Sequence, residues 1–173
     1  MKIEFPFSGS ALPDKYGVNA AAIQKYHDKN LISFPFKVTN IPQGATSIAF
    51  SLIDHDTVPI IGFSWIHWLA ANIQITAQSA VEIEENASQR QLFLQGTNSY
   101  ISSLEPYDEK ENVTQRYVGP RPRGGVHDYT LTVYALDAVL NLKAGFYYPD
   151  LLREIEKHFL CKSYVKLKYE KRK

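Results

Sequence analysis

Thr46-Ser47-Ile48-Ala49-Phe50-Ser51-Leu52-Ile53-Asp54 is the stretch that decides the fold. Side chains of an extended strand point alternately to its two faces. Ile48, Phe50 and Leu52 therefore share one apolar face, and Asp54 continues it. The same rule puts His67 on a face with Trp65, Leu69, Ala71 and Ile73, and His127 and Tyr129 on a face with Leu131 and Val133. Burying a carboxylate or an imidazole costs free energy unless a partner compensates. Three such placements together predict one polar pocket at the rim of a β core.

Outward from that stretch, period-2 alternation predicts strands at Ile3–Phe7, Ser33–Thr39, Thr46–Asp54, Trp65–Ile73, Val81–Glu84, Tyr129–Leu136 and Tyr164–Glu170. Trp65–Ile73 and Tyr129–Leu136 are apolar on both faces, as central strands of a two-layer β structure are. Val165, Leu167 and Tyr169 alternate with Lys166 and Lys168, which reads as a half-exposed edge strand guarded by lysines. One helix is expected, N-capped by Asp150 and running to Leu160, with Leu151, Leu152, Ile155 and Phe159 on one face. A weaker helix or turn is expected within Asn19–His27. Gly96–Val126 has little periodicity and several prolines and glycines. A loop of that length in a compact domain is usually functional, and because it feeds directly into His127 it is expected to build the pocket. With no internal repeat, linker or low-complexity tract, residues 1–173 are expected to form one domain.

Composition excludes several classes of function. Charges nearly cancel, at +1 for 173 residues, and aromatic content is high at 13%, so there is no field to steer the chain to nucleic acid and no sign of disorder. The basic cluster from Lys162 to Lys173 is accounted for as a solvated edge strand and tail. A single cysteine, Cys161, rules out an intrachain disulfide framework and suits a reducing compartment. Met1–Phe7 has no apolar core of a secretory leader, and no apolar run approaches the ~20 residues of a membrane-spanning helix. A cytoplasmic protein is the expectation. The sequence has no Gly-x4-Gly-Lys-Ser/Thr phosphate loop, no Gly-x-Ser-x-Gly elbow and no Cys/His pair at zinc-finger spacing. No cofactor and no metal is expected.

Asp54 and Asp56, two apart before Pro59, fit ordinary turn chemistry as well as a ligand site. His67 alone fits a core histidine bonded to a neighbouring carbonyl or carboxylate. His127 has the stronger case, because Gly124-Gly125 lets the backbone adopt positive φ beside it and Tyr129 shares its face. Imidazole N–H groups and a phenol are donors suited to oxyanions, and an adjacent carboxylate would orient a histidine and favour its charged form. His55 and Asp128 point away from this set.

In order along the chain, Asp54-x-Asp56 with Pro59, Gly62-x-x-Trp65-x-His67-Trp68, Tyr117-x-Gly119-Pro120 and Gly125-x-His127-x-Tyr129 resemble the phosphatidylethanolamine-binding protein family, which includes the Raf kinase inhibitor proteins. The resemblance is greatest to its bacterial and archaeal branch and runs from about Ser33 to Tyr169. The chain departs from the family pattern at His55 and Val58, within a motif that is usually Asp-Pro-Asp-Ala-Pro, and at Asp128, where arginine is usual. The resemblance implies a mainly β, antiparallel β-sandwich with a large central sheet, a smaller second sheet and peripheral helices. It implies a small anion pocket for phosphate-type groups or phospholipid head groups, with Asp54, Asp56, His67, Gly119, Pro120, His127 and Tyr129 as ligand-binding residues. It also implies a cis Val58-Pro59 bond and a protein partner such as a kinase, and it leaves a homodimer open. The expectation is a binding protein and not an enzyme. The alternative is a metal-dependent hydrolase using Asp54, Asp56, His67 and His127, since these side chains are of metal-ligating type.

Overall fold

The structure is a computed structural model that describes residues 1–22, 25–75, 80–104 and 111–172. In chain order its strands are β1 (Lys2–Glu4), β2 (Lys25–Tyr26), β3 (Lys29–Asn30), β4 (Phe36–Thr39), β5 (Ser47–Asp54), β6 (Trp65–Gln74), β7 (Val81–Ile83), β8 (Leu94–Gln95), β9 (Val126–Leu136) and β10 (Phe159–Glu170). Its helices are α1 (Val58–Ile61), α2 (Glu111–Thr114) and α3 (Tyr148–His158). A five-stranded antiparallel sheet has the order β10-β9-β5-β6-β8, a three-stranded sheet the order β1-β4-β7, and β2-β3 is a separate hairpin.

All eight residues of β5 are buried because both faces of the large sheet are covered. Phe50, Leu52, Trp68, Leu131 and Val133 pack with Phe34, Phe36, Val38 and Ile83 of the small-sheet side. Ala49, Leu69, Ala71, Tyr134 and Leu136 pack with Leu151 and Ile155 of α3 on the other. Burial on both faces is the reason the central strands read as nearly continuous apolar runs. β10 lies at the edge, with Leu167 and Tyr169 buried and Lys166 and Lys168 exposed.

Several sequence expectations need correction. Asp150 is not the N-cap of α3: the helix starts at Tyr148 with Tyr147 as N-cap, and the Asp150 carboxylate accepts the Tyr147 N–H at 3.0 Å from inside the first turn. Pro149, with no N–H to lose, suits that first turn. The stripe facing the sheet stops at Ile155, because the chain leaves the helix at Phe159 to start β10 and that ring is exposed. Within Asn19–His27, where a helix or turn is expected, residues 23 and 24 lie outside the described residues and the end of the stretch is a turn. Lys25–Asn30 is a hairpin whose turn residues His27 and Asp28 have φ of 43° and 63°. Among the described residues no peptide bond is cis, so Val58-Pro59 is trans and opens α1. Strands β1 and β4 are shorter than their alternating runs, while β9 and β10 each begin earlier than alternation suggests.

The correction that matters most for function lies in β6. Asp54 pairs with Trp65 and Ile53 with Ile66, but Leu52 pairs with Trp68, so His67 is the extra residue of a β-bulge. A bulge breaks strict alternation and re-aims a side chain. Leu69 and Ala71 therefore belong to the α3 side of the sheet, and His67 does not share their face.

Candidate functional site

The site stands where β5, β6 and β9 end together. Asp54, the last residue of β5, lies opposite Tyr129 in β9. Next to the αL glycine Gly125 (φ 70°), β9 brings His127 two residues before Tyr129 on the same buried face. The bulge in β6 brings His67. Asp54, His67, His127 and Tyr129 line one pocket together with Thr57, Ile60, Ile61, Trp65, Tyr100, Leu104, Arg121, Pro122 and Arg123. Its cavity is about 60 Å³, room for a few waters or one tetrahedral oxyanion.

The hydrogen bonds orient each group. Asp54 is 2% exposed, and its Oδ2 lies 2.7 Å from His127 Nδ1 while its Oδ1 accepts the Asp56 N–H at 2.9 Å. An ionised carboxylate only accepts, so His127 Nδ1 carries the proton and Nε2 is left for the pocket. His67 Nδ1 lies 2.7 Å from the Val118 carbonyl oxygen, which also only accepts. Burial pulls the His67 pKa below the ordinary 6.5, against the Val118 bond and the Asp54 charge, which raise it. A neutral His67 protonated at Nδ1 presents a bare Nε2 lone pair. Asp54 thus orients His127, and His67 is oriented by the backbone.

Tyr129 is 1% exposed, and its hydroxyl lies near the Asp54 carboxylate yet makes no hydrogen bond of good geometry among the described residues. Burial first, and then the Asp54 charge, push its phenol far above the usual tyrosine range, so the hydroxyl keeps its proton and is a donor. Its ring stands edge-on to His67 at 5.1 Å and stacks with His127 at 6.4 Å, which fixes both imidazoles. A buried polar group without a partner is uncommon in folded proteins and calls for an explanation.

Asp56, Gly119 and Pro120 are not among the lining residues, and their roles are in the frame. Asp56 Oδ2 accepts the Asp128 N–H at 2.8 Å, tying the start of β9 to the loop after β5. The Gly119 N–H donates to Asn30 at 2.8 Å, and a Cβ there would lie 2.3 Å from the Tyr16 carbonyl oxygen, so only glycine lets these backbones meet. The Pro120 carbonyl accepts the Val18 N–H at 2.8 Å. His55 is exposed, 2.8 Å from the Ser64 hydroxyl, and Asp128 turns outward to Lys166 at 3.4 Å.

Sequence reasoning missed Arg121 and Arg123, which bring positive charge to the mouth although Asp128 replaces the usual arginine. Arg121 Nη2 is held 2.7 Å from Asp28 Oδ2. That tether belongs to the β2-β3 hairpin, an element the sequence did not reveal. The one available signal was their place in the aperiodic loop leading to His127. A larger open groove, about 790 Å³, runs beside α3, but Arg153 there pairs with Asp150 and Lys157 with Glu154.

The sequence profile described as "PBP: Phosphatidylethanolamine-binding protein" matches residues 4–170. The chain belongs to the phosphatidylethanolamine-binding protein family. It is 43% identical over 158 residues to an uncharacterized Bacillus subtilis protein, YxkA, covering 90% of this chain and 92% of that one. It is 32% identical over 133 residues to a UPF0098 protein of Methanothermobacter thermautotrophicus, covering 77% and 79%. These relatives place it on the bacterial and archaeal side of the family. The fold matches the crystal structure of a putative family homologue, CT736 of Chlamydia trachomatis, with TM-score 0.76 at 24% identity over 98% of this chain and 97% of that one. It also matches Escherichia coli YbcL, with TM-score 0.74 at 18% identity over 99% and 98%. Among the described residues no helix is long and apolar enough to cross a membrane.

Proposed function

We propose that this family member is a binding protein whose pocket holds one small, protonated phosphate-type anion, free or as a phospholipid head group. The observation that carries this reading is the Tyr129 hydroxyl, buried, protonated and without a partner in a cavity the size of an oxyanion. An oxyanion there would accept from Tyr129 and from His127 Nε2 in its charged form, with Arg121 and Arg123 balancing charge at the mouth. The bare Nε2 of neutral His67 asks for the opposite, a hydrogen-bond donor, which a P–OH group supplies. Affinity is therefore expected to fall toward alkaline pH as the ligand loses its proton. A cavity of this volume has no space for acyl chains, so a lipid would leave its tails outside, against exposed Ile60 and Phe63. Modulation of a kinase or another protein through the same rim, in a cytoplasmic setting, is part of this proposal.

The metal-dependent hydrolase draws no support from the donor set: the described residues contain no group of three or more His, Cys, Asp or Glu side chains that would hold a metal ion. Titration calorimetry with inorganic phosphate tests the proposal. Wild type is expected to bind, and His127→Ala to lose roughly 1.5–3 kcal/mol, the worth of a charge-assisted hydrogen bond. Equal affinity in the two proteins would make His127 a packing residue.

A further inference from the structure

We propose that His127 is a phosphoryl acceptor, its Nε2 taking the group from an acyl phosphate or phosphoramidate seated in the pocket and holding it as phosphohistidine. The inference rests on the anion pocket proposed above and adds a reaction to it. Asp54 keeps the proton on Nδ1 at 2.7 Å, so whenever the ring is neutral its lone pair faces the pocket from Nε2. A carboxylate behind the ring orients it and stabilises the imidazolium charge that grows as Nε2 attacks. Tyr129 holds the ring by stacking and offers its unpartnered hydroxyl to a phosphoryl oxygen. Arg121, anchored by Asp28, supplies positive charge at the mouth for the transferring group.

The chemistry closes without any proton leaving the protein. With zwitterionic phosphoramidate the Nε2–P bond forms as the P–N bond breaks. The bonding pair departs with neutral ammonia, and the ring becomes a phosphorylated imidazolium that keeps its Nδ1–H on Asp54. An acyl phosphate reacts likewise, its P–O bonding pair leaving with the carboxylate. No general acid is required, which matters because Tyr129 is held protonated and is a poor proton donor. The ammonium end of phosphoramidate also supplies the N–H donor that His67 Nε2 requires. His127 is 5% exposed, and burial that shuts out water slows hydrolysis of the product.

The test treats the full chain with potassium phosphoramidate and, separately, acetyl phosphate, and locates the product by mass spectrometry and phosphorus NMR. Exposed His27 and His55 are controls within the same molecule. His127 is expected to react faster than both despite its burial, and to carry the group on Nε2. Asp54→Asn should slow His127 by at least about 10–100-fold, the scale for losing the outer partner of a metal-ligating histidine, and leave His27 unchanged. Asp54→Ala should free Nδ1 and give a mixture of the two linkage isomers, which a merely structural role for Asp54 would not produce. His127 unmodified, or no faster than His27 and His55 in the wild type, overturns the inference whatever the variants do. Phosphate titration of the same preparation separates the failures: binding without phosphorylation removes only the transfer step, and no binding removes the pocket reading itself.

Discussion

At the scale of single residues, the site keeps a polar group unsatisfied where the fold alone would favour an apolar one. Tyr129→Phe deletes a buried hydroxyl that has no partner, and such a group costs about 1–3 kcal/mol. The variant is expected to be more stable than wild type by about 1 kcal/mol in urea unfolding and weaker in phosphate binding, a trade typical of functional sites. His67 gives the second prediction. Its pKa is depressed by burial below the ordinary 6.5, so between those two values the unfolded chain holds the proton and the folded protein does not. Its contribution to stability is fully present above pH 6.5 and is lost as pH falls from there toward the folded value. Urea unfolding across that range should show stability falling with pH in wild type, and a flatter dependence in His67→Gln.

At the scale of elements, the bulge in β6 and the handover from α3 to β10 show how position overrides pattern. Leu151 and Phe159 look equivalent on a helical projection, yet Leu151 is fully buried and Phe159 is 47% exposed at the start of β10. Leu151→Ala is expected to cost about 2–5 kcal/mol, the range for emptying a core leucine site. Phe159→Ala should stay near the ±0.5 kcal/mol of surface changes. Equal losses in denaturant unfolding would mean the stripe continues as the helical period suggests. The bulge acts similarly in reverse. Without the extra residue, His67 would point toward α3 and the pocket would lose one wall.

At the scale of the whole molecule, the pocket exists only when β5, β6 and β9 are paired, because Asp54 and His127 are 73 positions apart. A ligand bound there is held by the folded state alone and must stabilise it. Phosphate at ~100 times its dissociation constant should add about 2.7 kcal/mol. At about 2–4 °C per kcal/mol for a domain of this size, the melting temperature should rise by several degrees. That rise should be smaller in His127→Ala, and calorimetric scans with and without phosphate check both.

The sequence by itself determined the β architecture, the central strands, the lysine-guarded edge and four of the pocket's residues, Asp54, His67, His127 and Tyr129. All of that follows from side-chain alternation, which is local, together with an ordered set of short motifs. Tertiary structure decided which histidine meets Asp54, because antiparallel register between β5 and β9 sets that contact and no local pattern encodes it. It decided that His67 serves the pocket rather than the α3 side, since a bulge arises from pairing with a neighbour strand. It also brought Arg121 to the mouth through Asp28 of a hairpin far away in sequence, and it set Gly119 against the Tyr16 carbonyl. Alternation along a strand is written in consecutive residues, but contacts between strands are settled only when distant segments compete for the same space.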